Sequence, residues 1–252
     1  MNSAALLALL SLPAAAAAHV PGAIAVAVNA LYPPAAYNAR RNLARDAALA
    51  TSSKSTADGI PLAGDSMVYG EFNLDFFAQL LELACPVRGE TFVDLGSGAG
   101  RLVIAASLLY PDTWRNCHGV ELSAPLHDAA IAARVAFDGL APCPPIADCE
   151  YTLASVLDDA KGAAALAAAD VSFSYAVTWA SDETHELLVR ALARRLPSGA
   201  RVISVDLALS AEAAAAEGAS WELLHRVLGL NEETGGETVG LIYMLHRPGV
   251  AD

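Results

Sequence analysis

The sequence of 252 residues predicts an α/β fold: a mostly parallel, seven-stranded sheet with helices on both faces and an antiparallel C-terminal hairpin. Two observations predict it. From Met67 onward, strand-like apolar runs alternate with segments of helical periodicity, which is typical of a parallel sheet with crossover helices. Near the C-terminus, the runs 221–229 and 237–245 are joined through Glu233-Thr234-Gly235-Gly236, as expected for a hairpin.

The other elements follow in order. An amphipathic helix carries Leu74, Phe77, Leu80, Leu81 and Ala84. The last helix has Asp182 near its start and Pro197-Ser198-Gly199 beyond its end. An acidic residue is favourable at a helix N-terminus, and proline and glycine commonly follow a helix C-terminus. The remaining predicted strands are 92–95, 117–120, 150–153, 171–177 and 201–207. Besides the last helix, 182–196, two further helices are predicted at 102–109 and 125–140.

Residues 1–60 are predicted to be an N-terminal extension, and residues 61–252 the main domain. The run Ala4–Leu12 and the alanines after it resemble a signal peptide with a cleavage site near His19, although Asn2 and Ser3 supply no positive charge. An alanine-rich extension is the alternative, and both interpretations stay open here. No apolar run reaches the length of a membrane span.

The rest of the extension contains Arg40, Arg41 and Arg45 on a short helical stretch, which we interpret as a solvated face. Pro33-Pro34 interrupts the segment, and the polar run 51–59 is predicted to be a linker.

Composition restricts the partners. The formal net charge of −13 disfavours direct binding to nucleic acid, which requires a positive surface, but it can attract a basic protein. The four cysteines show no metal-binding spacing, so no metal site is expected. Cys143 and Cys149 flank a proline-rich loop, and they are the pair that can form a disulfide bond in an oxidising compartment.

The segment that indicates chemistry is Phe92-Val93-Asp94-Leu95-Gly96-Ser97-Gly98-Ala99-Gly100-Arg101. A strand ends in an acidic residue and opens into three alternate glycines before a helix. Such a turn brings the backbone close to a nucleotide-like ligand. Arg101 occupies the place of the third glycine of a dinucleotide fingerprint, so the turn fits S-adenosylmethionine (SAM) better than NAD.

A second carboxylate supports a ligand that contains ribose. Glu121 ends the next predicted strand, about twenty residues beyond the glycine turn, which is the spacing at which an acid typically accepts hydrogen bonds from ribose hydroxyls. Ser97 is not a hydrolase nucleophile, because Leu95 replaces the first glycine of that motif.

Together these motifs resemble a known family. The order Val68-Tyr69-Gly70-Glu71, an amphipathic helix, the glycine turn and Gly119-Val120-Glu121 is similar to that of the non-SET histone-lysine methyltransferases, the disruptor-of-telomeric-silencing family. The resemblance covers residues 68–121 well and implies a Rossmann-like class I methyltransferase domain that uses SAM. It also implies a nuclear location, whereas a cleaved signal would imply a secretory or organellar one.

The resemblance implies that Tyr69 to Phe72 cover the cofactor. It also offers Asp158 as the acid near the adenine, with a one-residue shift from the family pattern. The residues expected to contact SAM are Tyr69, Gly70, Glu71, Phe72, Asp94, Leu95, Gly96, Ser97, Gly98, Gly100, Glu121, Leu122 and Asp158.

The acceptor side departs from the family. The Asn-Asn-Phe run that lines the family's lysine channel is replaced by Ser174-Tyr175-Ala176-Val177-Thr178-Trp179, in which Tyr175 and Trp179 are the candidate channel residues. The family's basic DNA-binding tail is also absent from this sequence. Three functions therefore remain: a protein-lysine methyltransferase of histone type, a methyltransferase for a small molecule or non-histone protein, and a non-catalytic interaction module.

Overall fold

A computed structural model describes residues 19–51, 69–140, 144–157, 159–175, 182–231 and 234–249. The apolar run Ala4–Leu12, Cys143, Asp158 and Trp179 lie outside these residues. In the part of the chain that is described, no helix is long and apolar enough to cross a membrane.

One sheet of seven strands organises the domain. Its strands are β1 (Glu90–Leu95), β2 (Trp114–Glu121), β3 (Cys149–Leu153), β4 (Val171–Tyr175), β5 (Arg201–Val205), β6 (Ser220–Leu230) and β7 (Glu237–His246). Their spatial order is β3-β2-β1-β4-β5-β7-β6. Strands β1 to β5 pair in parallel, and β7 is antiparallel to both β5 and β6. The predicted fold, including its terminal hairpin, is confirmed.

Helices cover both faces of the sheet. Their bounds are α1 (Gly22–Leu31), α2 (Tyr37–Thr51), α3 (Leu74–Leu83), α4 (Arg101–Leu109), α5 (Ala124–Asp138), α6 (Ala160–Ala167), α7 (Asp182–Arg195) and α8 (Ala211–Ala216). Helices α3, α4 and α5 pack on one face, where Phe77, Phe92 and Phe173 form edge-to-face ring contacts. Helices α6, α7 and α8 cover the other face, which buries residues such as Val93 and Leu192.

Helices α1 and α2 form an outer layer against α4 and α5, and this differs from the appendage that the sequence suggested. Val28 and Tyr32 are buried in the core on that face. The Tyr32 hydroxyl donates a 2.9 Å hydrogen bond to the carbonyl oxygen of Ala99, within the glycine turn. The division of the chain at residue 60 stays a prediction, but this packing favours a domain that includes α1 and α2.

Three helices were not predicted, namely α1, α6 and α8. Both α6 and α8 are short and consist mainly of alanine, a small side chain that distinguishes a buried helix face from an exposed one only weakly. Local capping is what defines them in the structure: Asp159 accepts a hydrogen bond from the Lys161 amide, and Ser210 accepts one from the Ala213 amide.

The strand order also determines where a ligand can bind. The chain runs outward from β1 through β2 to β3, and then continues on the other side of β1 with β4. Ligands of open α/β sheets bind beyond the carboxyl ends of the strands at such a reversal. The glycine turn follows β1 at this point, and Glu121 ends the neighbouring strand.

Candidate functional site

The glycine turn between β1 and α4 exposes its backbone to a cavity. Gly96, Gly98 and Gly100 all have positive φ, at 78°, 55° and 80°. Gly96 lines the cavity, and a Cβ added there would meet no atom within 4 Å. The space beside Gly96 is therefore open to a ligand that must approach the main chain closely.

Glu121 connects this turn to the start of α5. Its Oε2 accepts a 2.8 Å hydrogen bond from the Gly98 amide, and its Oε1 accepts a 2.7 Å bond from the Ser123 amide. Burial raises the pKa of the Glu121 carboxyl, and these backbone bonds partly oppose the rise. Each carboxylate oxygen retains a second acceptor position, so Glu121 can shape the turn and still accept a bond from a ligand.

A second buried acid lies next to Glu121. Asp94 lines the same cavity, and burial together with the Glu121 charge raises the pKa of Asp94 to about 8. Its carboxyl group is therefore largely protonated at neutral pH in the ligand-free protein. A cation placed in this cavity would stabilise the ionised form.

Residues 69–72 form a covering segment over the turn. The Tyr69 ring packs so closely on Gly98 that a Cβ at Gly98 would lie 2.9 Å from Tyr69 Cε2. The Tyr69 hydroxyl donates a 3.1 Å hydrogen bond to Glu71 Oε1. Burial, followed by the Glu71 charge, raises the pKa of Tyr69, so the phenol stays protonated. Gly98 thus leaves space for the Tyr69 ring, and it also lines the cavity.

Two arginines contact the covering segment. Arg40 of α2 donates from Nε to Glu71 Oε1 at 2.7 Å and also pairs with Glu71 through Nη2. Arg101 donates from Nη1 to the Phe72 carbonyl oxygen at 2.7 Å, and its Nε lies 3.8 Å from Glu71 Oε2. The interpretation of the arginine cluster as a solvated face is wrong for Arg40, which is 8% exposed, but holds for the exposed Arg41 and Arg45.

An aromatic wall borders the cavity at the end of β4. Phe72 makes edge-to-face contacts with Phe173 and Tyr175, at ring-centroid distances of 5.4 and 5.2 Å. The side-chain amide of Asn231, at the end of β6, donates a 3.3 Å hydrogen bond to the Tyr175 hydroxyl. This wall offers an apolar surface with one oriented phenol.

The opposite wall is formed by the segments that follow β2 and β3. Leu122 lines it together with the run Ala154 to Leu157. Val156 is buried, and Leu122 is 41% exposed. This mainly apolar surface can accommodate a flat ring.

Two serines provide unused polar groups beside these walls. Ser97 and Ser123 both line the cavity, and they are 8% and 4% exposed. Within the described residues, neither Oγ atom has a hydrogen-bond partner. Both oxygens are buried, and the Ser97 side chain packs against Gly119 of β2 rather than facing the cavity.

Most of the residues expected to contact SAM border this one cavity, and their individual roles stay predictions. Leu95 is an exception, because its side chain packs in the core on the other face of the sheet. Gly100 is a second exception, since it is the N-cap of α4 and a Cβ there would lie 2.7 Å from Tyr151 Cε1. Asp158 and Trp179 lie outside the described residues.

Sequence reasoning missed several cavity residues. They are Ala44, Arg101, Leu102, Val120, Ser123, Leu126, Ala154, Ser155, Val156, Leu157, Phe173 and Thr184. The run 154–157 has a usable signal, because it follows a predicted strand and strand ends converge on the site. Ala44 has none, because only the packing of α2 brings it there. Within the described residues, no group of three or more His, Cys, Asp or Glu side chains could hold a metal ion.

Comparison with known proteins gives a family and a fold. The family model described as "Histone methylation protein DOT1" matches residues 62–221. A comparison with curated proteins found no match. TrmN from Thermus thermophilus superposes with a TM-score of 0.50 at 17% identity, over 71% of this chain and 51% of that chain.

Two other solved structures are similar. The rRNA methyltransferase aviRa from Streptomyces viridochromogenes has a TM-score of 0.49 at 17% identity, over 69% of this chain and 85% of that chain. The N-methyltransferase NodS from Bradyrhizobium japonicum has a TM-score of 0.48 at 10% identity, over 69% of this chain and 96% of that chain. At such identities the likeness to solved structures concerns the fold alone.

Proposed function

Because the chain belongs to the histone methylation protein DOT1 family, we propose that it methylates a lysine side chain of a histone or a similar basic protein. The family and the fold identify the chain as a SAM-dependent methyltransferase, so the interpretation as a non-catalytic module is set aside. The acceptor, the roles of the site residues and a nuclear location are parts of the proposal.

The residues of the cavity fit SAM. The open space at Gly96 suits a ligand that lies against the backbone. The buried acids Asp94 and Glu121 suit a molecule with a positive sulfonium and ammonium group and a ribose. We assign the ribose to Glu121, the ammonium group to Asp94 and the adenine to the apolar wall at Leu122 and residues 154–157.

The aromatic wall carries the proposal for the acceptor. SAM supplies a methyl group on an electrophilic sulfur, and an amine can accept it only when uncharged. The apolar surfaces of Phe72 and Tyr175 disfavour a charged lysine and so lower its pKa from the usual value of about 10.4. The Asn231 amide fixes the Tyr175 ring, and a fixed wall aligns donor and acceptor, which accounts for much of the catalysis of such a displacement.

The net charge favours a basic protein over a nucleic acid as the partner. At −13, the chain attracts lysine- and arginine-rich proteins over a distance of about a Debye length, roughly 8 Å at physiological salt. The same charge opposes DNA phosphates. We therefore expect free histones to be better substrates than nucleosomes.

Methyl transfer from labelled SAM tests the proposal. Core histones, nucleosomes and cell extract are incubated with the protein, and the labelled residue is identified by mass spectrometry. We expect methyl-lysine on free histones, at a rate that falls as salt is raised. A Tyr175→Ala variant is expected to lose turnover while it retains SAM affinity. Equal or better activity on nucleosomes at physiological salt would contradict the charge argument.

A small-molecule or non-histone acceptor is the second candidate. The observation that favours it is that Ser174 and Tyr175 stand at the end of β4, where other members of the family have the asparagines of their lysine channel. Label found only in a small molecule, or only in a non-histone protein of the extract, would establish this second function.

A further inference from the structure

Arg40 joins the outer helical layer to the covering segment of the SAM site. Its guanidinium contacts Glu71 through two nitrogens, although the two residues are 31 positions apart. The side chains of Arg40 and Glu71 are only 9% and 14% exposed. Water therefore screens this pair weakly, and the loss of one partner would leave a poorly solvated charge.

Glu71 has several partners, and among the described residues Arg40 makes the closest contact to its carboxylate. The Tyr69 hydroxyl bonds the same oxygen at 3.1 Å, and Arg101 Nε lies 3.8 Å from the other oxygen, beyond hydrogen-bond distance. Arg101 uses Nη1 for the Phe72 carbonyl oxygen instead. Of the described residues, Arg40 therefore makes the shortest contact that orients the Glu71 carboxylate.

The orientation of Glu71 is relevant to the ligand because the covering segment is short and tightly packed. Glu71 lines the cavity, and its hydrogen bond to Tyr69 fixes the ring that packs on Gly98. The chain from Arg40 through Glu71 and Tyr69 to the glycine turn is thus a continuous set of contacts. A displacement of Arg40 would change the surface that the donor molecule meets.

We propose that Arg40 is a positioning residue for the methyl donor: through Glu71, helix α2 holds the covering segment in the conformation that binds SAM. The proposal rests on SAM occupying the cavity as described under the proposed function. It predicts that Arg40 affects the affinity for SAM and leaves the chemical step unchanged.

The test is a double-mutant cycle on the full chain, with SAM affinity measured by calorimetric titration. We expect Arg40→Met and Glu71→Gln each to raise the Kd for SAM about tenfold, and the double variant to raise it no further, since both act through one contact. In steady-state assays, Arg40→Met should raise KM for SAM with kcat unchanged at saturating SAM.

Arg41→Met is the matched control. Arg41 lies on the same helix, is exposed and stacks on the Tyr37 ring, so its loss should leave the Kd unchanged. If circular dichroism shows that Arg40→Met does not fold, Arg40→Lys replaces it in the cycle. Lysine keeps the charge without the two-nitrogen contact, and a smaller rise in Kd that disappears in the Glu71→Gln background is expected.

The outcomes separate this inference from the proposed function. Wild-type affinity in the folded Arg40 variants, or additive effects of the two substitutions, would overturn the role of Arg40 alone. A wild-type chain that does not bind SAM would overturn the proposed site and this inference together. A fall in kcat at unchanged KM would also refute a role in positioning the donor.

Discussion

A single methyl group placed at Gly96 is expected to separate ligand binding from folding. Gly96→Ala adds a Cβ to a residue with φ of 78°, in the open space of the cavity. A non-glycine residue in this left-handed region costs about 1–2 kcal/mol, and no neighbouring atom adds a clash. The added carbon occupies the position where the ligand must approach the backbone.

Gly199→Ala is the matched control for this backbone strain. Gly199 has φ of 83°, and a Cβ there also meets no atom within 4 Å, but the residue lies in the turn after α7, outside the cavity. The two variants should therefore lose similar unfolding free energy, each about 1–2 kcal/mol. Only Gly96→Ala should bind SAM at least about tenfold more weakly, a loss of roughly 1.4 kcal/mol.

Chemical denaturation and calorimetric titration measure the two quantities on the same samples. Equal SAM affinity in Gly96→Ala and Gly199→Ala, at equal losses of stability, would refute the placement of the ligand against the glycine turn. A much larger loss of stability in Gly96→Ala would instead show that the space beside Gly96 is part of the packed fold.

Three further predictions concern the same cavity. Replacing Glu121 with alanine should weaken SAM binding by about 1–3 kcal/mol in calorimetry, and should also lower the melting temperature because the Gly98 amide loses its acceptor. Because the Asp94 pKa is about 8 without ligand and a cationic ligand lowers it, SAM binding should release a proton near pH 7. Affinity should then rise with pH up to about 8 and level off, and Asp94→Asn should abolish both the pH dependence and the buffer dependence of the binding heat. Removal of residues 1–60 should expose the core face that Val28 and Tyr32 cover, and the protein should then be insoluble or fail to bind SAM. Removal of residues 1–20 should preserve SAM binding.

The glycine turn could be predicted from sequence because its determinants are local. Three alternate glycines follow β1, which carries Asp94 one residue before its end, and glycine is the residue that adopts the positive φ of this turn without strain. Glu121 then ends the next strand along the chain. The hairpin of β6 and β7 was predictable for the same reason, since a short polar connection joins two apolar runs.

The alternation of side chains along a strand would have improved the prediction for Leu95. Consecutive residues of a strand point to opposite faces, so Asp94 in the cavity excludes the Leu95 side chain from it. This rule needs only the strand assignment.

The role of Arg40 could not be predicted, because it depends on how α2 packs on the domain. Arg40, Arg41 and Arg45 look alike in the sequence, and only the tertiary structure buries Arg40 against Glu71. The same holds for Tyr32, whose partner in the glycine turn is 67 residues away. Long-range contacts of this kind leave no periodic pattern in the sequence.

Calorimetric titration of the wild-type chain with SAM, and separately with NAD, tests the central claim most directly. Both ligands contain an adenine joined to a ribose, so the comparison depends on the glycine turn, Arg101 and Asp94 rather than on the adenine wall or Glu121. We predict binding of SAM with a stoichiometry of one and no binding of NAD. Tight binding of NAD without binding of SAM would contradict the account and would indicate a dehydrogenase-like site instead.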